Sequence, residues 1–158
     1  MRIGHGYDVH QLGLNEDLIL GGVEISYEKG LVGHSDADVL THAIMDAILG
    51  ELEKKDIGYH FPDTKTEYKG ISSLKLLAEV KQLMEKDGYH LSNLDSTIIA
   101  QAPKLAPYID QMVGKIANVL GVDTNQINIK ATTTEKLGFA GRKEGIAVHA
   151  VVLLKKSE

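Results

Sequence analysis

The spacing of apolar and polar positions along the chain predicts a short series of strands and helices. Met1 to His10 reads as a first strand. Leu18-Ile19-Leu20 and Val23-Glu24-Ile25, parted by Gly21-Gly22, read as a hairpin. Leu40, Ile44, Ala47 and Ile48 recur at helical spacing and predict a helix over 37–52, with Ser35 or Asp36 as its cap. Leu76, Leu77, Val80, Leu83 and Met84 predict a second helix over 72–86, closed by Gly88. Residues 95–101 read as strand. Ile109, Met112, Val113, Ile116 and Leu120 predict a third helix over 107–120, ended by Gly121. Residues 127–132 and 146–155 read as the last two strands. This order suggests an α+β fold: a mixed β-sheet with helices packed on one face, a ferredoxin-like sandwich.

Two elements carry more than their periodicity. The last strand is apolar on both faces, with Ile146, Val148, Ala150, Val152 and Leu154 on one and Ala147, Val151 and Leu153 on the other. One layer of helices covers one face only, so the second is expected to be buried against another subunit. His149 is the polar exception there. On the first helix Asp38, His42 and Asp46 lie four residues apart and form a polar line opposite Leu40 and Ile44. His42 is therefore not simply a core histidine.

Composition narrows the classes. The 158 residues suit a single domain, 1–158, and the 43% hydrophobic content is enough to bury a core without staples. The formal charge of −5, with no Lys/Arg-rich run, argues against nucleic acid as a partner. The absence of cysteine excludes a disulfide framework. The N-terminus lacks the apolar core of a signal peptide, and no apolar run is long enough to span a membrane. The expected location is the bacterial cytoplasm, or a plastid if a transit peptide has been removed.

The candidate chemistry starts at Asp8-Val9-His10. Residues two apart on a strand share a face, so Asp8 and His10 can reach one point, and Gly4 and Gly6 before them let the backbone pass close to other groups. With His42 they would make one carboxylate and two imidazoles, an open three-ligand set for a divalent transition metal, zinc first. Taken singly, an Asp-x-His pair is more often ordinary surface.

Other stretches must change those odds. His34-Ser35-Asp36-Ala37-Asp38 stands at a helix start, where free N–H groups and the His34 and Ser35 donors suit a phosphate. Asp56-Ile57-Gly58 and Phe61-Pro62-Asp63-Thr64-Lys65 form a turn-rich loop able to offer carboxylates to sugar hydroxyls. Ala100-Gln101-Ala102-Pro103-Lys104 ends a strand in small residues that suit a flat base. Thr132-Thr133-Thr134-Glu135 offers three hydroxyl donors and a carboxylate for a hard cation, and Arg142 can pair with phosphate. No Walker-type glycine loop is present.

These stretches, with Arg2 to His10, Ile98 to Lys104 and Lys130 to Phe139, resemble the 2-C-methyl-D-erythritol 2,4-cyclodiphosphate synthase family over nearly the whole chain. The resemblance implies a homotrimer with active sites between neighbouring subunits. It implies Zn²⁺ on Asp8, His10 and His42, and Mg²⁺ or Mn²⁺ held between the substrate phosphates with the help of Glu135. The implied substrate is 4-diphosphocytidyl-2-C-methyl-D-erythritol 2-phosphate, whose 2-phosphate attacks the β-phosphorus and releases CMP. Asp8, His10 and Ser35 are implied in substrate binding, and His34 and Thr133 in stabilising the transition state. Asp56, Ile57 and Gly58 would hold the ribose, and Phe61, Pro62, Asp63, Thr64 and Lys65 would meet the methylerythritol part. Ala100, Gln101, Ala102, Pro103, Lys104, Leu105 and Ala106, with Thr132, Thr133 and Thr134, would form the cytosine pocket. Phe139 and Arg142 would lie at a cavity on the threefold axis, which in some members is thought to hold an isoprenoid diphosphate. Tyr7 stands where the family often has phenylalanine, and His149 where many members have an acidic residue facing Arg142. Two further readings use the same residues. One is a zinc-dependent phosphohydrolase of a nucleoside diphosphate ester. The other is a non-catalytic binding module.

Overall fold

A computed structural model describes residues 1–158. Strand β1 (Arg2–Leu14) opens the chain, followed by β2 (Leu18–Leu20), β3 (Val23–Ile25) and β4 (Lys29–Leu31). Helices α1 (Val39–Glu51), α2 (Ile57–His60) and α3 (Ser73–Lys86) come next. Then follow β5 (Tyr89–Ile99), α4 (Ile109–Leu120), β6 (Ile127–Thr132), α5 (Gly138–Gly141) and β7 (Gly145–Lys156).

The main sheet runs β4-β1-β7-β5-β6, and β2-β3 form the predicted hairpin. β1, β7 and β5 pair antiparallel, whereas β5 and β6 are parallel because α4 crosses over between them. The two-layer α+β sandwich is as expected, but the parallel pair sets its connectivity apart from a ferredoxin-like sandwich. α1 packs on β1 and β7, α3 on β5, and α4 on β6. No helix is long and apolar enough to cross a membrane.

The face of β1 toward α1 carries Gly4, Gly6, Asp8 and His10. A Cβ built on Gly4 would stand 1.9 Å from the Ala47 carbonyl oxygen, and one on Gly6 1.9 Å from that of Ala43. Strand and helix thus meet backbone to backbone. The opposite face is open: Ile3 is 72% exposed, and Tyr7, Val9 and Val151 are exposed with it. On this face His149 meets His5, with 3.0 Å between their ring nitrogens, and packs on Tyr7. Nothing in the chain covers that apolar surface.

Several boundaries moved for physical reasons. α1 starts at Val39 because Asp38, not Ser35 or Asp36, caps it through the Thr41 N–H. α1 is buried on almost every side, so the Asp38-His42-Asp46 line runs inside the fold rather than along a surface. The buried Asp38 carboxylate fills the helix N-terminus itself and also accepts from Gly21 N–H at 2.9 Å and Gly22 N–H at 2.8 Å, while His34 and Ser35 just before it line the first cavity. β5 begins at Tyr89 instead of residue 95. A register shift between Leu91 and Asn93 puts buried Leu91 and Leu94 three apart and hides the two-residue period. Ala106–Tyr108 is a 3₁₀ turn, so the third long helix starts at Ile109 instead of 107. β4 and the short helices α2 and α5 are too brief to show a period.

The backbone contact makes a direct prediction. Gly6→Ala should destabilise the protein by roughly 1–3 kcal/mol or more, the usual scale of overpacking, because neither backbone can yield easily. Gly114→Ala in α4, whose new Cβ meets nothing within 4 Å, should stabilise by about 0.5–1 kcal/mol. Urea unfolding of both variants measures the contrast.

Candidate active site

Two cavities open at the same end of the sheet. Asp8 lies across from Val148, Val148 from Ile98, and Ile98 from Ala131, so one row of the sheet runs from the first cavity to the second. The first, about 350 Å³, is lined by Asp8, His10, Gly33, His34, Ser35, His42, Met45, Ile57, Gly58, Phe61, Pro62, Asp63, Tyr68 and Leu76. The second, about 300 Å³, is lined by Ala100, Gln101, Pro103, Lys104, Leu105, Ala106, Ala131, Thr132 and Thr133.

In the first cavity the expected carboxylate and imidazoles converge. Asp8 Oδ2 lies 3.1 Å from His42 Nδ1 and 3.3 Å from His10 Nδ1. The ligand atoms of the three residues lie within 4.8 Å of one another. His10 Nδ1 is buried with no hydrogen-bond partner, the mark of a donor set built around a cation. Tetrahedral zinc, with ligands at about 2.0–2.2 Å, holds its donors roughly 3.3–3.6 Å apart, so the set fits one divalent ion. Gly33 makes room for His10: a Cβ there would stand 3.1 Å from the ring.

The two imidazoles are poised in opposite senses. Burial pulls His42 down, but the hydrogen bond and charge of Asp8, backed by Asp38 and Asp36, outweigh it and leave His42 raised. Burial dominates at His10 and leaves it lowered despite Asp8.

The other predicted residues divide into several groups. His34 lines the first cavity, and its Nε2–H donates to the Lys65 carbonyl at 2.9 Å, which orients the ring. Asp56 caps α2 through Tyr59 N–H, while Ile57, Gly58 and Phe61 to Asp63 line the cavity beside it. Thr64 and Lys65 lie outside the lining. Asp46, the end of the polar line, accepts from Ile57 N–H at 2.8 Å and ties this loop to α1.

The second cavity gathers most of the expected base-pocket residues. The three threonines are not three free donors. Thr132 donates to the Thr133 carbonyl and Thr134 to that of Leu137. Thr133 accepts from Glu135 N–H and keeps its proton free. Gln101 accepts from Lys136 N–H, so the two loops that wall the cavity are joined. Glu135 is exposed and stands with Lys136 at positive φ, a costly backbone for residues with side chains. Phe139 and Arg142 line neither of these two cavities, and Arg142 pairs with Glu144 at 3.0 Å.

Sequence reasoning missed Ser73, Gly33, Met45 and Tyr68 in the first cavity's surroundings. Ser73 donates to Asp36 Oδ1 and lies 2.9 Å from His42 Nε2. Read in one dimension, it is only a serine at a helix start.

The sequence profile described as the YgbB family matches residues 1–155. A curated relative from Syntrophotalea carbinolica, named 2-C-methyl-D-erythritol 2,4-cyclodiphosphate synthase, is 66% identical over 157 residues, 99% of this chain and 96% of its own. A solved structure of the bifunctional IspDF from Campylobacter jejuni superposes with a TM-score of 0.96 at 46% identity, covering 99% of this chain and 42% of that one. A solved structure of IspF from Plasmodium falciparum in complex with CDP superposes at 0.88 with 37% identity, covering 99% and 97%.

The opposed imidazoles can be observed directly. In metal-free protein, NMR titration of the ring protons should place His42 above, and His10 below, the ordinary histidine value of about 6.5. The sign for stability follows. A raised histidine stabilises fully below its unfolded value and loses that contribution as pH rises through its folded value. The stability deficit of metal-free His42→Gln relative to the parent should therefore be greatest in mild acid and shrink as pH rises. A deficit that grows with pH would contradict the assignment.

Proposed function

We propose, for a chain that belongs to the YgbB family, that it converts 4-diphosphocytidyl-2-C-methyl-D-erythritol 2-phosphate to 2-C-methyl-D-erythritol 2,4-cyclodiphosphate with release of CMP, a step of non-mevalonate isoprenoid synthesis. The observation that carries the reading is the convergence of Asp8, His10 and His42 beside His34 in one cavity, with a base-sized cavity further along the same row of the sheet. The CDP complex of the Plasmodium relative supports a cytidine diphosphate ligand.

The reaction is a phosphoryl transfer within one molecule. A bond forms between a 2-phosphate oxygen and the β-phosphorus, and the bond from that phosphorus to the oxygen bridging it to CMP breaks. The nucleophile is already a phosphate anion, so no protein nucleophile or base is required. Catalysis is positioning plus stabilisation of charge. Asp8, His10 and His42 would hold Zn²⁺, and Glu135 would help hold Mg²⁺ or Mn²⁺; bound there, such ions supply positive charge to the phosphate oxygens.

The chain's own groups do the rest. His34, its Nε2–H anchored on the Lys65 carbonyl, presents Nδ1 and donates to phosphate when protonated there. Thr133 donates its free hydroxyl proton to phosphate. Asp56 and Gly58 meet the ribose, and Phe61 to Asp63 border the methylerythritol part. Residues 100–106 meet the cytosine mainly through backbone.

Three copies of this single domain, 1–158, complete the site. Two observations support assembly: the sheet face of Ile3, Tyr7, Val9 and Val151 is apolar and open, and the two cavities of one chain are separate. In the trimer each first cavity would meet a neighbour's second, with cytoplasm as the place of action. His149 bonds His5, so Arg142 takes Glu144 as its acidic partner rather than a residue at position 149; an isoprenoid diphosphate on the axis would meet His5 and His149 beside that pair.

Phosphorus NMR of the products, with Zn²⁺ and Mg²⁺ present, tests the reaction. The expected outcome is a cyclic diphosphate with one CMP per turnover. A linear phosphate would identify a phosphohydrolase, and no CMP at all a binding module. His42→Ala should lower kcat by at least 10²-fold, since charge stabilisation is typically worth that much, while light scattering still reports a trimer.

A further inference from the structure

We propose that Ser73 and Asp36 are positioning residues of the metal site. They form a one-way hydrogen-bond chain that holds His42 in the tautomer able to bind metal. The proposal rests on the reading that Asp8, His10 and His42 hold a divalent cation.

The direction of the chain follows from who can donate. Asp36 Oδ1 accepts from Asp38 N–H at 3.1 Å and Oδ2 from Ser73 N–H at 3.0 Å. Backbone N–H groups can only donate, so both carboxylate oxygens are acceptors. The Ser73 hydroxyl stands 2.5 Å from Oδ1, a short contact of the charge-assisted kind, and its proton lies on that line. The lone pairs of Ser73 Oγ are then left for His42 Nε2 at 2.9 Å. Nε2 must bring the proton. Ser35 Oγ, 3.1 Å from the same nitrogen, already accepts from Ala37 N–H and offers a second oxygen.

A neutral imidazole has one N–H. With that proton on Nε2, Nδ1 is a bare lone pair, and it faces Asp8 Oδ2 at 3.1 Å. This is the side on which His10 Nδ1 also converges. Without Asp36, the Ser73 hydroxyl can turn its proton onto Nε2. The imidazole proton then moves to Nδ1, faces Asp8 and occupies the place of the metal. Outer partners of this kind orient metal-binding histidines and make the ligand more basic.

The geometry is rigid as well as directional. Ser73 is wholly buried and His42 nearly so. Asp36 N–H donates to the Ile71 carbonyl at 3.0 Å, which pins the residue between the starts of α1 and α3. The chain from α3 to α1 therefore transmits position without a flexible link.

The test is zinc affinity, measured on the full chain by competition with a chromophoric chelator. Ser73→Ala and Asp36→Asn should each weaken zinc binding by about 10–100-fold, the usual cost of losing an outer partner. The double variant should be no worse than the weaker-binding single, because both changes cut one chain. Circular dichroism of the metal-free variants checks that they fold. A parent that binds no zinc would sink the metal reading itself. A parent that binds zinc while Ser73→Ala binds it equally well would overturn the chain alone, as would additive losses. If the variants do not fold, long-range proton–nitrogen NMR of the zinc-loaded parent decides. Nε2 protonated with Nδ1 on the metal supports the chain, and the reverse overturns it.

Discussion

The site depends on one contact, the backbone-to-backbone seating of α1 on β1. Gly4 and Gly6 have no side chain to hold the helix away, and Ala47 and Ala43 answer them with the smallest side chains a helix can carry. The two elements can therefore lie closer than ordinary helix–sheet packing permits. Further along the same strand face Asp8 and His10 replace the glycines, and His42, the residue before Ala43, meets them. A candidate metal site shared by a strand and a helix needs that closeness. With larger side chains at 4 and 6, α1 would be pushed outward and Asp8 and His42 would separate.

The same helix carries the polar groups that fix the rest of the cavity wall. Because α1 is covered on nearly all sides, each polar side chain on it must find partners inside the fold. Asp38 takes the turn of the β2–β3 hairpin and the first turn of its own helix. His42 faces Asp8 on one edge of its ring and Ser73 on the other. Asp46 takes the start of α2 and with it the loop that lines the first cavity. Three residues, one helical turn apart, thus tie four separate segments to a single rod.

How far this was legible in the sequence depended on whether the signal was periodic. The long helices and the strands with unbroken alternation were visible because burial on one face leaves a repeat. The Gly4-Gly6-Asp8-His10 face was visible for the same reason, and so was the polar line of α1. β5 was shortened in the reading because a bulge breaks its period. The helix start was misplaced because Ser35, Asp36 and Asp38 are all good caps by type, and only the fold shows that Ser35 faces His42, Asp36 faces Ser73 and Asp38 alone caps. Ser73 was invisible because its meaning is a contact across 31 residues with His42. The threonine run showed the right residues and the wrong arithmetic: type alone cannot tell a hydroxyl free to donate from two already spent on carbonyls.

Proton direction, more than distance, defines what the first cavity can hold. Two of the imidazoles there are oriented by hydrogen bonds that end on groups able only to accept. His34 gives its Nε2 proton to a carbonyl, and His42 gives its own, through Ser73, toward a carboxylate. Both rings thereby turn Nδ1 to their other side. At His42 that side already carries the Asp8 carboxylate and the unpartnered Nδ1 of His10. Lone pairs and an anion brought this close repel one another in a partly buried place, and the raised position of His42 is the response of the metal-free protein: a proton is drawn in to stand between them. A divalent cation would relieve the same repulsion better, since it would serve all three donors at once where a proton serves one pair. A cation at the meeting point of Asp8, His10 and His42 would offset the repulsion of holding these donors together.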